Sequence, residues 1–236
     1  MNLSYEQKGT IWLTNQDTLR KLVGILGMLL PVLLYVFLWL DNGHHQPLPS
    51  ISHYYYTRVS SIFIIVLSLL AVFLLIYKGE EKMDFYISGI AGLSALVVVL
   101  FPTDNLANEC SSVKMPYAVT ILKKSDFRMV LHFVAAAIFL LCLACMSLFI
   151  FTKSNFNIAS RTPEKKLRNR IYRVCGVLII LAIIVIVAGA TKLIPNHIFF
   201  GYNLIFWMEV LAVESFGLAW MIKGKSFFVD KVPASD

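Results

Sequence analysis

The sequence predicts an all-α fold, an integral membrane bundle of six transmembrane helices with both termini cytoplasmic, and three observations carry that reading. Six long apolar runs divide the chain, at residues 22–40, 59–77, 85–101, 129–151, 174–193 and 198–222. Hydrophobic residues make up 58% of the 236 and charged residues only 15%, whereas a soluble domain carries about 25% charged. The lysines and arginines, finally, gather on one side of the runs. A helix rises ~1.5 Å per residue, so about 20 residues cross a ~30 Å hydrocarbon core. Helix is the required form because no water inside a bilayer can satisfy a bare backbone.

Each run has its own boundary signals. The first follows a polar segment, residues 1–21, and lacks a small-residue cleavage site after it, so it is expected to be a retained span rather than a signal peptide. Pro31 lies inside it and would at most kink it. The second run is entered through Leu48-Pro49-Ser50-Ile51-Ser52-His53-Tyr54-Tyr55-Tyr56-Thr57, an amphipathic stretch of the kind found at a membrane interface. The third run is the shortest, and Pro102, Thr103, Asp104 and Asn105 mark its exit. Arg128 precedes the fourth. The fifth follows a basic segment, and the sixth carries two glutamates. The domain plan is then a cytoplasmic segment 1–21, one transmembrane domain 22–222 and a cytoplasmic tail 223–236.

Orientation follows from the basic residues. With the N-terminus inside, the inner segments hold Lys8, Arg20 and Lys21, then Lys78 and Lys82, then Lys153, Arg161, Lys165, Lys166, Arg168, Arg170 and Arg173, then Lys223, Lys225 and Lys231, 15 in all. The outer segments hold six: Arg58, Lys114, Lys123, Lys124, Arg128 and Lys192. The net charge of +7 is therefore mostly an inner-face property. The loop from Arg161 to Arg173 is expected to meet anionic lipid headgroups, at ~1 kcal/mol per basic residue near the surface. A nucleic-acid partner has no supporting fold. Localisation in a bacterial cytoplasmic (inner) membrane fits this charge pattern, and a homo-oligomer is compatible with such a bundle.

Cysteine usage adds little. Cys142 and Cys145 fall in the fourth run, where packing is their expected role, and Cys175 early in the fifth; Cys110 alone lies in an outer loop, so no intrachain disulfide is expected there. Small residues at Gly89, Gly92, Ala135, Ala136, Ala137, Gly189 and Gly217 are expected to permit close helix contacts.

Polar groups inside a bilayer are costly and tend to face the bundle interior. His53, with Tyr54 beside it, Asp104 and His132 come from three different runs, yet the topology sets all three at the outer boundary. A set of two histidines and an aspartate could hold zinc or another divalent metal, or relay a proton. In the sixth run, counting from Ile198, Glu209 would lie ~17 Å and Glu214 ~24 Å down the helix. Five residues apart, they would sit about 140° from each other and form no carboxylate pair. On the same straight helix Asn203 would fall in line with Glu214, and Tyr202 with Glu209. At these depths Glu209 would be ~10 Å deeper than His132, out of reach of a direct hydrogen bond unless a helix is tilted or broken.

The elements Ser50-Ile51-Ser52-His53-Tyr54-Tyr55-Tyr56-Thr57, Phe101-Pro102-Thr103 and His132-Phe133-Val134-Ala135-Ala136 resemble those of a family of uncharacterised bacterial multi-spanning membrane proteins. So do the stretches from Arg168 to Gly176, from Phe206 to Glu209 and from Phe216 to Gly224. The resemblance covers roughly residues 50–224. More distantly, the architecture and the element before the second run are similar to the Frag/DRAM/Sfk group, which implies a role in lipid organisation or membrane trafficking. The ceramidase-like membrane hydrolases are less similar, having seven spans and paired histidines on a late helix.

Three functions are compatible with these residues. One is a non-enzymatic protein binding a lipid headgroup or small polar ligand in an outward-facing pocket, with His53, Asp104 and His132 at its mouth, Glu209 at its floor, and Tyr54 and Glu214 as further ligand-binding candidates. Another is a metal-dependent hydrolase at the outer leaflet, ligated by His53, Asp104 and His132. The last is a proton- or cation-coupled transporter using Glu209 and Glu214, against which stand the lack of a repeat or an obviously broken helix.

Overall fold

Among the described residues, each long apolar run becomes helix. The computed structural model describes residues 15–79, 81–106, 117–153 and 162–228, and the only β feature among them is an isolated antiparallel bridge between Thr57 and Ala118. The helices are α1 (Gln16–Asn42), α2 (Ser60–Ile76), α3 (Lys82–Leu100), α4 (Asp126–Cys145, continued by a π-helical turn Met146–Ile150), α5 (Pro163–Ala190), the short α6 (Asn196–Phe199) and α7 (Leu204–Lys223). A 3-10 helix, Ile51–Tyr56, precedes α2.

Local chemistry sets the ends. Asn15 caps α1 by accepting from the Asp17 amide, and Gly43 ends it in the left-handed region at φ 70°. Glu81 and Asp84 form a reciprocal capping box on α3, Ser125 caps α4, and Thr162 caps α5 with Pro163 in the first turn, all arrangements that satisfy amides a helix start leaves unpaired. α1 runs unbroken through Pro31.

Three boundaries differ from expectation. α1 starts at Gln16, so the polar first turns up to Lys21 belong to the helix rather than to a separate segment. The basic stretch up to Arg173 is no loop: from Pro163 onward it forms the first turns of α5, while Arg161 lies outside the described residues, as do Lys8, Cys110, Lys114 and Lys231. The short apolar helix is α2, with 17 residues, rather than α3, with 19.

Five helices, α1, α3, α4 with its π turn, α5 and α7, are long and apolar enough to cross a membrane; α2 is apolar but shorter. The six long helices follow one another around a ring that closes by packing α7 on α1. Contacts at the ends show that successive helices alternate in direction. At one end the starts of α1, α3 and α5 meet the ends of α2, α4 and α7: Arg20 reaches the Tyr77 hydroxyl at 3.3 Å, Lys153 binds Asp84 at 3.1 Å, and the Tyr77, Phe151, Tyr172, Phe216 and Trp220 rings form a buried cluster. At the other end lie the 3-10 helix, the end of α3 and the starts of α4 and α7. Outward, Val32, Phe37, Ile65, Leu93, Phe133, Phe149 and Ile184 are all exposed, the inverse of a water-soluble surface and the normal face of a protein in lipid.

Glycines separate into two groups. A methyl at Gly217 would meet the Gly24 carbonyl oxygen at 2.8 Å, and one at Gly92 would meet the Ala71 carbonyl oxygen at 2.6 Å, so α1–α7 and α2–α3 cross backbone against backbone. Gly189 is filled by the Phe199 ring, whereas Gly89 has nothing within 4 Å and mediates no crossing.

Candidate functional site

The sixth run is broken, and that break builds the site. α5 ends at Ala190, α6 occupies four residues, and a turn follows in which Asn203 adopts φ 48°, so α7 starts only at Leu204. Asparagine tolerates that left-handed conformation better than most residues. Glu209 is therefore five residues into α7, ~8 Å along its axis, and Glu214 ~15 Å, each ~9 Å less than expected for an unbroken helix. The expected alignments of Asn203 with Glu214 and Tyr202 with Glu209 dissolve with it: Asn203 instead donates to the Pro47 carbonyl at 3.0 Å, and Tyr202 is exposed.

The start of α7 is stitched to the segment entering the 3-10 helix. The Phe206 amide, one of the donors a helix start leaves unpaired, binds the Pro49 carbonyl at 3.1 Å. The Ile51 amide donates to the Glu209 carboxylate at 2.6 Å. Sequence depth put Glu209 out of direct hydrogen-bond reach of His132 unless a helix is broken; the broken helix sets Glu209 against the Ile51 amide instead.

Inside that clamp the polar side chains pair among themselves. Ser50 Oγ and His53 Nδ1 are 2.8 Å apart. Ser52 Oγ lies 3.1 Å from His132 Nε2, and His132 Nδ1 lies 2.9 Å from the Phe101 carbonyl oxygen. A carbonyl only accepts, so Nδ1 carries a proton, and in the neutral ring Nε2 then accepts the Ser52 hydroxyl. Ser52, His53 and His132 are 9%, 8% and 2% exposed. Burial pulls the His53 imidazole down to about 4, with His132 acting in the same direction and the Asp104 carboxylate against it. His53, Asp104 and His132 thus share one neighbourhood, as the topology predicted.

A strap closes the end. Tyr56 donates to the Thr103 carbonyl, the Val119 amide to Tyr56 at 2.9 Å, and Asn105 exchanges two hydrogen bonds with the Leu122 backbone, at 2.6 and 2.9 Å. Arg128 binds the Pro102 and Lys123 carbonyls at 3.2 and 2.9 Å. Burial pushes the Tyr56 phenol up to about 12, the Arg128 charge opposing it.

Several expectations change. His53, Asp104 and His132 do not form a metal-ligand set: among the described residues no three His, Cys, Asp or Glu side chains are placed to hold an ion, and both nitrogens of His132 are engaged within the protein. Tyr54, a ligand-binding candidate, is fully buried against Phe206, and burial pushes its phenol up to about 12. Glu214 is half-buried and makes no hydrogen bond or ion pair with the described residues, standing apart from the network. Ser50 and Ser52 join the site from the stretch that precedes α2, and Asn105 with the carbonyls of Phe101 and Thr103 joins it from the exit of α3. Cys142, Cys145 and Cys175 are free.

Fold and surface define the class: an all-helical integral membrane protein with a buried polar network at one end of its bundle. Comparison of the chain with family models, with curated proteins and with solved structures finds no match.

Proposed function

We propose that the chain crosses a bacterial cytoplasmic membrane six times with both termini inside, and that its outer end binds a lipid headgroup or small polar ligand. The alternating helix directions support six crossings, since α2 lies in the ring between two longer helices. The excess of lysine and arginine at the Arg20 end supports the orientation.

The single observation that carries the ligand reading is Glu209. Its half-buried carboxylate takes the Ile51 amide and meets no lysine or arginine among the described residues. A carboxylate at the rim of a serine and histidine network suits a ligand that brings amine or hydroxyl donors. The test is to purify the protein, identify copurifying small molecules by native mass spectrometry, and repeat with His132→Ala. A specific ligand lost in a variant that remains folded supports the reading; its retention contradicts it.

A second reading is favoured by one contact. Ser52 hydrogen-bonded to His132, whose other nitrogen is held by a carbonyl, has the relay of an activated serine nucleophile. Such a serine would attack an ester carbonyl while His132 takes its proton and passes it to the leaving alkoxide; water would then release the acyl group. A fluorophosphonate probe mapped by peptide mass spectrometry decides it: an adduct on Ser52 supports hydrolysis, and an unmodified Ser52 removes it.

A further inference from the structure

At the opposite end of the bundle, one face of α5 lines an open groove of about 590 Å³, its described lining being Lys166, Asn169, Arg170, Arg173, Val174, Val177 and Leu178. The spacings of three and four put all seven on one side of the helix. Their chemistry is graded along the axis. Lys166, Arg170 and Arg173 come first, and Leu178 lies ~18 Å beyond Lys166, within the apolar part of the helix. Val174 and Val177 are half exposed.

The three cations make no ion pair with any described acidic residue, although Arg20, Arg58, Lys153 and Lys225 all do. Among them sits Asn169, 5% exposed, whose buried amide oxygen has no hydrogen-bond partner among the described residues. Positive charge paired with no described acid, an amide oxygen with no partner among the described residues and an apolar groove leading toward the membrane interior occupy consecutive turns.

We propose that this face of α5 binds one anionic phospholipid, its phosphodiester held by Lys166, Arg170 and Arg173 and an acyl chain laid along Val174, Val177 and Leu178. Charge complementarity selects the occupant. A free phosphate would leave the apolar half unused, and a second copy presenting the same face would set cation against cation. The groove is within the range of sites that hold a small ligand, about 300–1,000 Å³, room for a headgroup and the first part of a chain. The site is independent of the outer network, although it shares the assumption that the bundle lies in a membrane.

The experiment titrates the full chain in detergent with phosphatidylglycerol, phosphatidylcholine or inorganic phosphate and reads bound mass by native mass spectrometry. One phosphatidylglycerol per chain is expected, bound in preference to phosphatidylcholine and undisturbed by millimolar phosphate. The triple variant Lys166→Gln, Arg170→Gln, Arg173→Gln is expected to weaken binding about 100-fold, at ~1 kcal/mol per cation. Val177→Trp, which fills the groove at an exposed position and leaves the charge intact, is expected to displace the lipid as well. Retention of phosphatidylglycerol in Val177→Trp would overturn the groove and leave only a basic surface. Equal binding of phosphatidylcholine, competition by phosphate, or binding that appears only with dimer mass would each overturn the assignment. His132→Ala is expected to leave this binding unchanged, so failure here and failure of the outer site are separate results.

Discussion

Replacing Glu209 tests the clamp that organises the outer end. Its carboxylate is the acceptor for the buried Ile51 amide at 2.6 Å, and the neighbouring Phe206-to-Pro49 bond depends on the same approach of α7 to the 3-10 helix. Glu209→Leu removes the acceptor and leaves a buried donor unpaired, which costs about 1–3 kcal/mol. Glu209→Gln keeps a carbonyl oxygen in the same place and is expected to cost less than about 1 kcal/mol, the loss of charge assistance alone. A local loss of ~2 kcal/mol raises the open population of the clamp about 30-fold. Hydrogen exchange read by mass spectrometry on peptides covering residues 48–57 and 203–209 measures that directly. The leucine variant should exchange about 30-fold faster there and unchanged around Arg20 and Tyr77, with the glutamine variant close to wild type. Equal exchange in wild type and Glu209→Leu would refute the clamp, and equal loosening in both variants would refute the role given to the acceptor oxygen.

Other expectations follow from the same structure. Gly217→Ala should lower thermal stability in detergent by about 1–3 kcal/mol, because the methyl overpacks the α1–α7 crossing, whereas Gly89→Ala, with open space around it, should be neutral or gain up to ~1 kcal/mol of helix propensity; the paired melting curves check both. Asp84→Asn should cost about 1–2 kcal/mol, since it loosens a buried partner of Lys153 while the Glu81 contact at 2.7 Å survives; a melting curve reads it. His53 titrates at about 4 in the folded protein, below its ordinary value of 6.5, so burying it neutral adds stability above pH 6.5 that is lost as the pH falls from there through 4. That window amounts to about 3 kcal/mol at most, and wild type should lose more stability between pH 7 and pH 4.5 than His53→Gln, a difference that melting curves at both pH values measure.

How much of this was legible in the sequence depends on the physics each feature obeys. Helices were legible because hydrocarbon thickness demands a length, and 22–40 or 129–151 could hardly do anything else. His53, Asp104 and His132 were legible as neighbours because an alternating topology returns them to one boundary. The break before Leu204 was not: Gly201, Tyr202 and Asn203 sit in a continuous apolar run, and the decisive fact is a backbone angle at Asn203 that composition does not encode. That one turn moved Glu209 from the middle of a helix to its first turns and changed its partner. Hydrogen bonds that use backbone carbonyls, such as His132 to Phe101, leave no trace in residue types. The glycine crossings show the same limit, since Gly24 faces Gly217 while Gly89 faces nothing.

Ligand binding at the outer end is read directly from a high-resolution cryo-electron microscopy map of the protein in lipid nanodiscs. Non-protein density is expected against the Glu209 carboxylate, bounded by the 3-10 helix and lost in His132→Ala. A well-ordered end in which Glu209 meets only Ile51 and solvent, identical in both proteins, would contradict it.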